Sequence, residues 1–137
     1  MISDTAKRFV NLQDVLGMMS KYGCLFLCII GIAEEYNKAP VDLIGAYRDF
    51  RLRNWIDDEF TCNDSLAMLH YLTGVKWERK VVTTLPSVIA DNEYTIETWV
   101  NDNKTHFRRR FVDTVKDSQT VRMGILTGYY IYIAGGK

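Results

Sequence analysis

The chain has 137 residues, of which 47% are hydrophobic and 25% are charged, as is typical of a single globular domain. Its 17 acidic and 17 basic side chains cancel, so no net field points to nucleic acid or to a membrane surface. Three cysteines form an odd count, which argues against a disulfide framework and for reduced thiols. The first residues lack the apolar segment of a signal peptide. We therefore expect a cytoplasmic protein without a transmembrane segment.

Residues 1–74 are predicted to be helical. Apolar residues recur at helical spacing before Gly23, which ends that first segment. A second helix over Cys24 to Tyr36 is apolar nearly all round, so we expect it to be buried. A third helix is predicted to start with Pro40 in its first turn. The inner face predicted for this third helix consists of Val41, Ile44, Tyr47 and Leu52.

The last predicted helix of this half has Asn63 or Asp64 as its N-cap and ends at Gly74. Residues 75–137 are instead rich in β-branched and aromatic residues and are predicted to form strands. The predicted strands cover 76–84 and 93–100, resume at Thr105, and include two about Met123-Gly124. Helices followed by an antiparallel sheet of about five or six strands predict an α+β fold. The whole of 1–137 is predicted to be one domain.

Cys24 is the candidate nucleophile, because it lies at a predicted helix start directly after Gly23. The free amides and the dipole of a helix N-terminus stabilise a thiolate. Cys28 lies one turn further along the apolar run and is predicted to pack in the core. Cys62 also precedes a helix and is a weaker rival nucleophile. The three cysteines show no paired spacing that is typical of zinc sites, and neither a metal nor a cofactor is predicted.

A cysteine nucleophile also needs a base, and the chain has two histidines. His70 lies near the end of a predicted helix, where a histidine is usually solvated or complements the helix dipole. His106 lies on a predicted strand of the β half. A strand histidine on its own is more often structural, but the residues after His106 favour it as the base.

The segment after His106 contains a carboxylate that could orient the imidazole. If Arg109–Arg110 form the tip of a hairpin, His106 lies directly opposite Asp113, with Cβ atoms roughly 5 Å apart. A wider loop over 108–111 keeps the same register and suits the arginines better. Asp113 is then the orienting group of a nucleophile–base–acid set. Asp117 is predicted to be a turn residue.

The arginine run Arg108–Arg110 is predicted to be a solvated surface at the hairpin tip. A contact with an acidic substrate or with nucleic acid is the less favoured interpretation, because one basic patch in a neutral chain is weak evidence.

Three blocks, "KYGCLFLCIIGIAE", "YTIETWVNDNKTHF" and "VDTVKDSQTVRMGILTGYYIY", together resemble the papain-like cysteine peptidase superfamily. Within it, the chain is similar to a small bacterial family of unassigned function that is best known from spirochaetes. The resemblance implies a papain-like fold with Cys24 as nucleophile, His106 as base and Asp113 as third member. Papain-like enzymes usually place an oxyanion-hole glutamine about six residues before the cysteine. Met18 occupies that position here.

These observations predict a papain-like thiol hydrolase that cleaves an amide, ester or thioester of a peptide or another amide-bearing substrate. His106 would deprotonate Cys24, and water would release the acyl group from the enzyme. The alternative is a catalytically inactive papain-like domain that serves as a binding module. Thiol reactivity distinguishes these two hypotheses. A third, a phage- or plasmid-borne nucleic-acid accessory protein, depends on Arg108–Arg110 and would show salt-sensitive binding.

Overall fold

The computed structural model of the protein describes residues 17, 23–102, 104–109 and 124–135. Over these residues the chain forms three helices and then four strands, which confirms the predicted α+β class. The helices are α1 (Cys24–Asn37), α2 (Leu43–Leu52) and α3 (Ser65–Thr73). The strands are β1 (Trp77–Val82), β2 (Glu93–Asn101), β3 (Lys104–Arg109) and β4 (Ile125–Ala134).

Several predictions fall outside the described residues. The first predicted helix lies outside the described residues except for Gly17. The first of the two strands predicted about Met123-Gly124 also lies outside them. Asp113 and Asp117 also lie there, together with Arg110. The opposition of His106 and Asp113 therefore stays a prediction.

Helix α1 is the buried central helix that its apolar sequence predicts. Half of its residues are buried, and the helix ends where Lys38 adopts a left-handed conformation and donates its N–H to the Glu34 carbonyl. Phe26 is completely buried, and its ring contacts those of three other aromatic residues at centroid distances of 5.8 to 6.4 Å. Those three are Tyr47, Phe50 and Phe60. Cys28 belongs to the same core, as predicted.

Helix α2 differs from its prediction in both its start and its inner face. It starts at Leu43, and the side chain of Asp42 caps it by accepting a 3.1 Å hydrogen bond from the Gly45 amide. The buried residues are Gly45, Ala46 and Phe50, whereas Ile44 and Leu52 are exposed. The predicted inner face is therefore correct for Val41 and Tyr47, which pack against the core, and wrong for Ile44 and Leu52, because Ala46 and Phe50 occupy the buried side instead.

Helix α3 confirms the predicted end signals. The Asp64 side chain accepts a 3.0 Å hydrogen bond from the Ala67 amide, so Asp64 is the N-cap rather than Asn63. Gly74 adopts a φ of 79° and donates its N–H to the His70 carbonyl at 2.8 Å. A left-handed glycine of this kind is a common helix terminator. Of the helices that the structure describes, none has the length and apolar character needed to cross a bilayer.

The four described strands form one antiparallel sheet in the order β1-β4-β2-β3. One face of this sheet packs on the helices, because Trp77, Ile96 and Tyr132 belong to the same core cluster as the apolar residues of α1 and α3. Ile131 is also completely buried but lies outside that cluster. Since side chains alternate along a strand, Ile131 and Tyr132 point to opposite faces.

Candidate functional site

Cys24 is the first residue of α1, as predicted from the glycine before it. Gly23 is the N-cap, and its carbonyl accepts the first helical hydrogen bond from the Leu27 amide at 2.8 Å. The Cys24 residue is only 7% exposed. The sulfur therefore occupies the helix end that favours a thiolate, but little of it is open to solvent.

Strand β3, which carries His106, lies against α1. Two of its side chains, Phe107 and Arg109, show which face of the strand points toward that helix. The Phe107 ring lies 5.5 Å from the Tyr130 ring on the core side of the sheet. The Arg109 guanidinium forms an ion pair with Glu35 of α1, and a methyl group on Gly31 would lie 3.8 Å from its Nη1 atom. Phe107 and Arg109 therefore point toward the helices.

His106 lies on the other face of the sheet. It pairs with Trp99 of β2, whose Nε1 donates to Glu97 Oε1 at 3.1 Å. Arg108 Nε lies 3.7 Å from the same carboxylate oxygen, so these four side chains share one face. Successive strand residues alternate, which directs the imidazole away from α1. His106 is 6% exposed and lies on the face of β3 that points away from α1.

The first two residues of the arginine run, Arg108 and Arg109, belong to this strand. Arg108 and Arg109 continue β3 and pair with Glu97 and Ile96 of β2, so neither of them lies in the hairpin tip or loop that was predicted to include it. The reason is that both cations find partners within the fold: Arg109 Nε donates to the Thr95 carbonyl at 3.1 Å. The two arginines point to opposite faces, so they do not form one basic patch. The other residues of the predicted turn, 110 and 111, lie outside the described residues.

His70, the other histidine, has a local structural role. It lies exposed in the last turn of α3, and its Nδ1 atom is 2.9 Å from the Val75 carbonyl oxygen. This environment agrees with the solvated helix-end position predicted for it.

The group that does lie near Cys24 is a second thiol. Burial, together with smaller contributions from Cys24 and Asp57, raises the pKa of Cys62 to about 12. A thiol with so high a pKa is almost entirely protonated near neutral pH and is a poor nucleophile. Cys62 was the weaker rival in the sequence, and its environment gives it no activation. None of the three cysteines forms a disulfide bond.

A buried hydrogen bond joins the β half to α3 beside this pair. The Ser65 hydroxyl and the Tyr132 hydroxyl are 2.8 Å apart, and both residues are buried. Burial raises the pKa of Tyr132, against the lowering effect of hydrogen bonds from Ser65 and Arg79. Tyr132 is therefore a neutral, fixed side chain. No sequence signal singles it out, because it is one of three tyrosines in "YYIYI".

The described residues also offer no obvious metal centre: they contain no group of three or more His, Cys, Asp or Glu side chains arranged to hold an ion. The chain was also compared with known proteins. No family model, no curated protein and no solved structure matches it.

Proposed function

We propose that this chain is a papain-like domain without a working catalytic pair, which acts by binding a partner. The observation that carries the proposal is the register of β3, which turns His106 toward Trp99 and away from α1. His70 is held at the Val75 carbonyl. A buried cysteine whose candidate base faces away from its helix has no efficient route to the thiolate that attacks an acyl group.

The papain-like part of the proposal is supported by the placement of Cys24. A helix that begins with a cysteine and packs on an antiparallel sheet is the arrangement that the resemblance implies. The free thiols are those expected of a protein in a reducing compartment, so the proposal places the chain in the cytoplasm.

A thiol hydrolase acting on a peptide or another amide-bearing substrate is the second candidate. It is favoured by the position of Cys24 at the N-terminus of a helix of 14 residues. It would need the β3 register to shift by one residue, since such a shift turns every side chain of a strand to the other face. His106 would then face α1, and Asp113 could serve as the third member of the site.

Alkylation of Cys24 by iodoacetamide separates the two candidates. The folded parent and the His106→Ala variant would be alkylated over a range of pH, with the modified cysteine located by fragment mass spectrometry. We expect the variant to react at least as fast as the parent at every pH, because His106 does not assist the thiol. A variant with a loosened fold would react faster. A slower reaction of the variant near neutral pH would therefore contradict the proposal and support the hydrolase.

A further inference from the structure

One exposed surface, at the C-terminal end of α2 and the outer side of α3, combines aromatic, cationic and apolar side chains. We call the side chains of Leu52, Arg53, Trp55 and Tyr71 the Arg53 platform. Leu52 is 75% exposed and Tyr71 is 42% exposed. Tryptophan, tyrosine and arginine are the residues most enriched among those that dominate binding energy at protein interfaces.

The platform is already ordered in the free chain. The guanidinium of Arg53 lies 4.6 Å from the Tyr71 ring centroid and 5.5 Å from that of Trp55. Arg53 Nη1 donates to the Asp49 carbonyl at 3.1 Å, and the Tyr71 hydroxyl donates to the Asp49 carboxylate at 2.7 Å. Side chains that are fixed before binding lose less conformational entropy when a partner arrives.

Beneath the platform, the completely buried Phe50 supports both aromatic members. Its ring centroid lies 5.7 Å from that of Trp55 and 5.8 Å from that of Tyr71. The platform thus rests on the core of the helical half, and its geometry does not depend on a loop alone.

The exposed charges along the last turns of α2, beside the platform, are mostly positive, although the whole chain is neutral. Arg48, Arg51 and Arg53 are exposed along the last turns of α2, and Asp49 is the acidic residue among them. The Asp49 carboxylate is already engaged by Arg48 at 3.2 Å and by the Tyr71 hydroxyl. A positive surface that carries an exposed leucine complements a segment with both negative charge and an apolar side chain.

We propose that the Arg53 platform binds an acidic peptide segment of a partner protein, with an apolar side chain of that segment against Leu52. Its carboxylates would contact Arg51 and Arg53. This inference rests on the proposal that the chain acts by binding. An acidic peptide is favoured over nucleic acid because Leu52 offers an apolar contact and because Arg108 and Arg109 do not extend the basic surface.

The probe for this proposal is a fluorescein-labelled, glutamate-rich peptide with one leucine, followed by fluorescence anisotropy. We expect the parent to bind it, and Arg53→Ala to weaken binding by about tenfold or more. Lys80→Ala, which removes an exposed charge from β1, is the matched control and should leave the affinity unchanged. Leu52→Ser should weaken binding of this peptide but not of one whose leucine is replaced by serine.

Three results would overturn the inference. They are no binding by the parent, equal losses in Arg53→Ala and Lys80→Ala, and tighter binding of a single-stranded oligonucleotide than of the peptide. The same variants, checked by thermal unfolding, establish that a loss of binding is not a loss of fold. The alkylation of Cys24 does not depend on the platform, so the two proposals can fail separately.

Discussion

At the scale of single residues, the Cys62 thiol shows how burial sets the chemistry of a side chain. Cys62 and Cys24 are close neighbours in space, and both belong to residue types that can act as nucleophiles. Burial gives Cys62 a pKa of about 12, far above the ordinary value of 9.0. The thiolate of Cys62 is thus disfavoured in the folded chain, and the cost of forming it appears as a dependence of stability on pH.

Stability should therefore fall at alkaline pH in a way that Cys62→Ala reduces. The folded-state pKa lies above the unfolded-state value, so the stabilising effect of the protonated thiol is complete below pH 9.0 and is lost as the pH rises toward about 12. The loss should approach about 1.4 kcal/mol per pH unit at most. Denaturant unfolding of parent and variant over this range measures it.

The comparison of the two chains at neutral pH is the control, because there the thiol is protonated in both states. Any difference between them at neutral pH reports the lost packing of the sulfur. An identical decline of parent and variant at alkaline pH would show that Cys62 is not the group responsible.

At the scale of the elements, helix ends were predictable and helix rotation was not. Gly23 directly precedes α1 and Gly74 directly follows α3, so the start of α1 and the end of α3 could be predicted from these two glycines. The inner face of α2 could be predicted only in part, because Tyr47 and Phe50 contact α1. Ile44 and Leu52 are apolar yet exposed. Apolar spacing indicates a helix but does not decide which of two apolar stripes meets a neighbour.

The candidate site depended on a strand as well as on a helix start. Predicting which face a strand residue occupies requires the exact pairing register, which is harder to obtain from sequence than a helix end. Cys24 could be placed from sequence because a helix start has local signals. His106 was identified as a strand residue, but which face it occupies depends on a register that one residue can invert. That register is fixed by contacts distant in sequence, such as those of Arg109 with Glu35 and with Thr95.

Arg109 should therefore contribute more to stability than an exposed cation of the same strand. Arg109→Ala removes the hydrogen bond to the Thr95 carbonyl and a side chain that is only 11% exposed. We expect a loss of about 1–3 kcal/mol in the free energy of unfolding. Lys104→Ala, on exposed Lys104 of β3, should change it by less than about 0.5 kcal/mol. Equal losses, measured by urea unfolding, would mean that Arg109 does not hold the strand.

At the scale of the whole molecule, the helical half and the β half share a common core and are also joined by polar contacts, one of which is a buried hydrogen bond. The core includes Phe26 from the helices together with Ile96 and Tyr132 from the sheet. The hydroxyl of Tyr132 then bonds that of Ser65, 67 positions away in the chain. This hydrogen bond favours one particular arrangement of the two halves, whereas the apolar contacts around it are not directional. The reason is that a buried hydroxyl without its partner costs free energy.

A double-mutant cycle on this link should reveal strong coupling. Ser65→Ala and Tyr132→Phe each leave one buried hydroxyl without the other, so each should cost about 1–3 kcal/mol. The double variant should cost clearly less than the sum, with a coupling energy of about 0.5–3 kcal/mol. Urea unfolding of the four proteins measures these values. Additive losses would show that the two hydroxyls contribute independently to stability.

The strand order has a consequence for the time course of folding. β4 follows the other three described strands in the chain but lies between β1 and β2 in the sheet. Neither β1 nor β2 has its full set of ladder partners until β4 has been synthesised and inserted between them. Pairing of β1 with β4 closes a long loop, and such non-local pairings form slowly. During synthesis on the ribosome, β1 and β2 therefore expose unpaired backbone N–H and C=O groups until β4 is available. Such exposed strand edges are prone to aggregation.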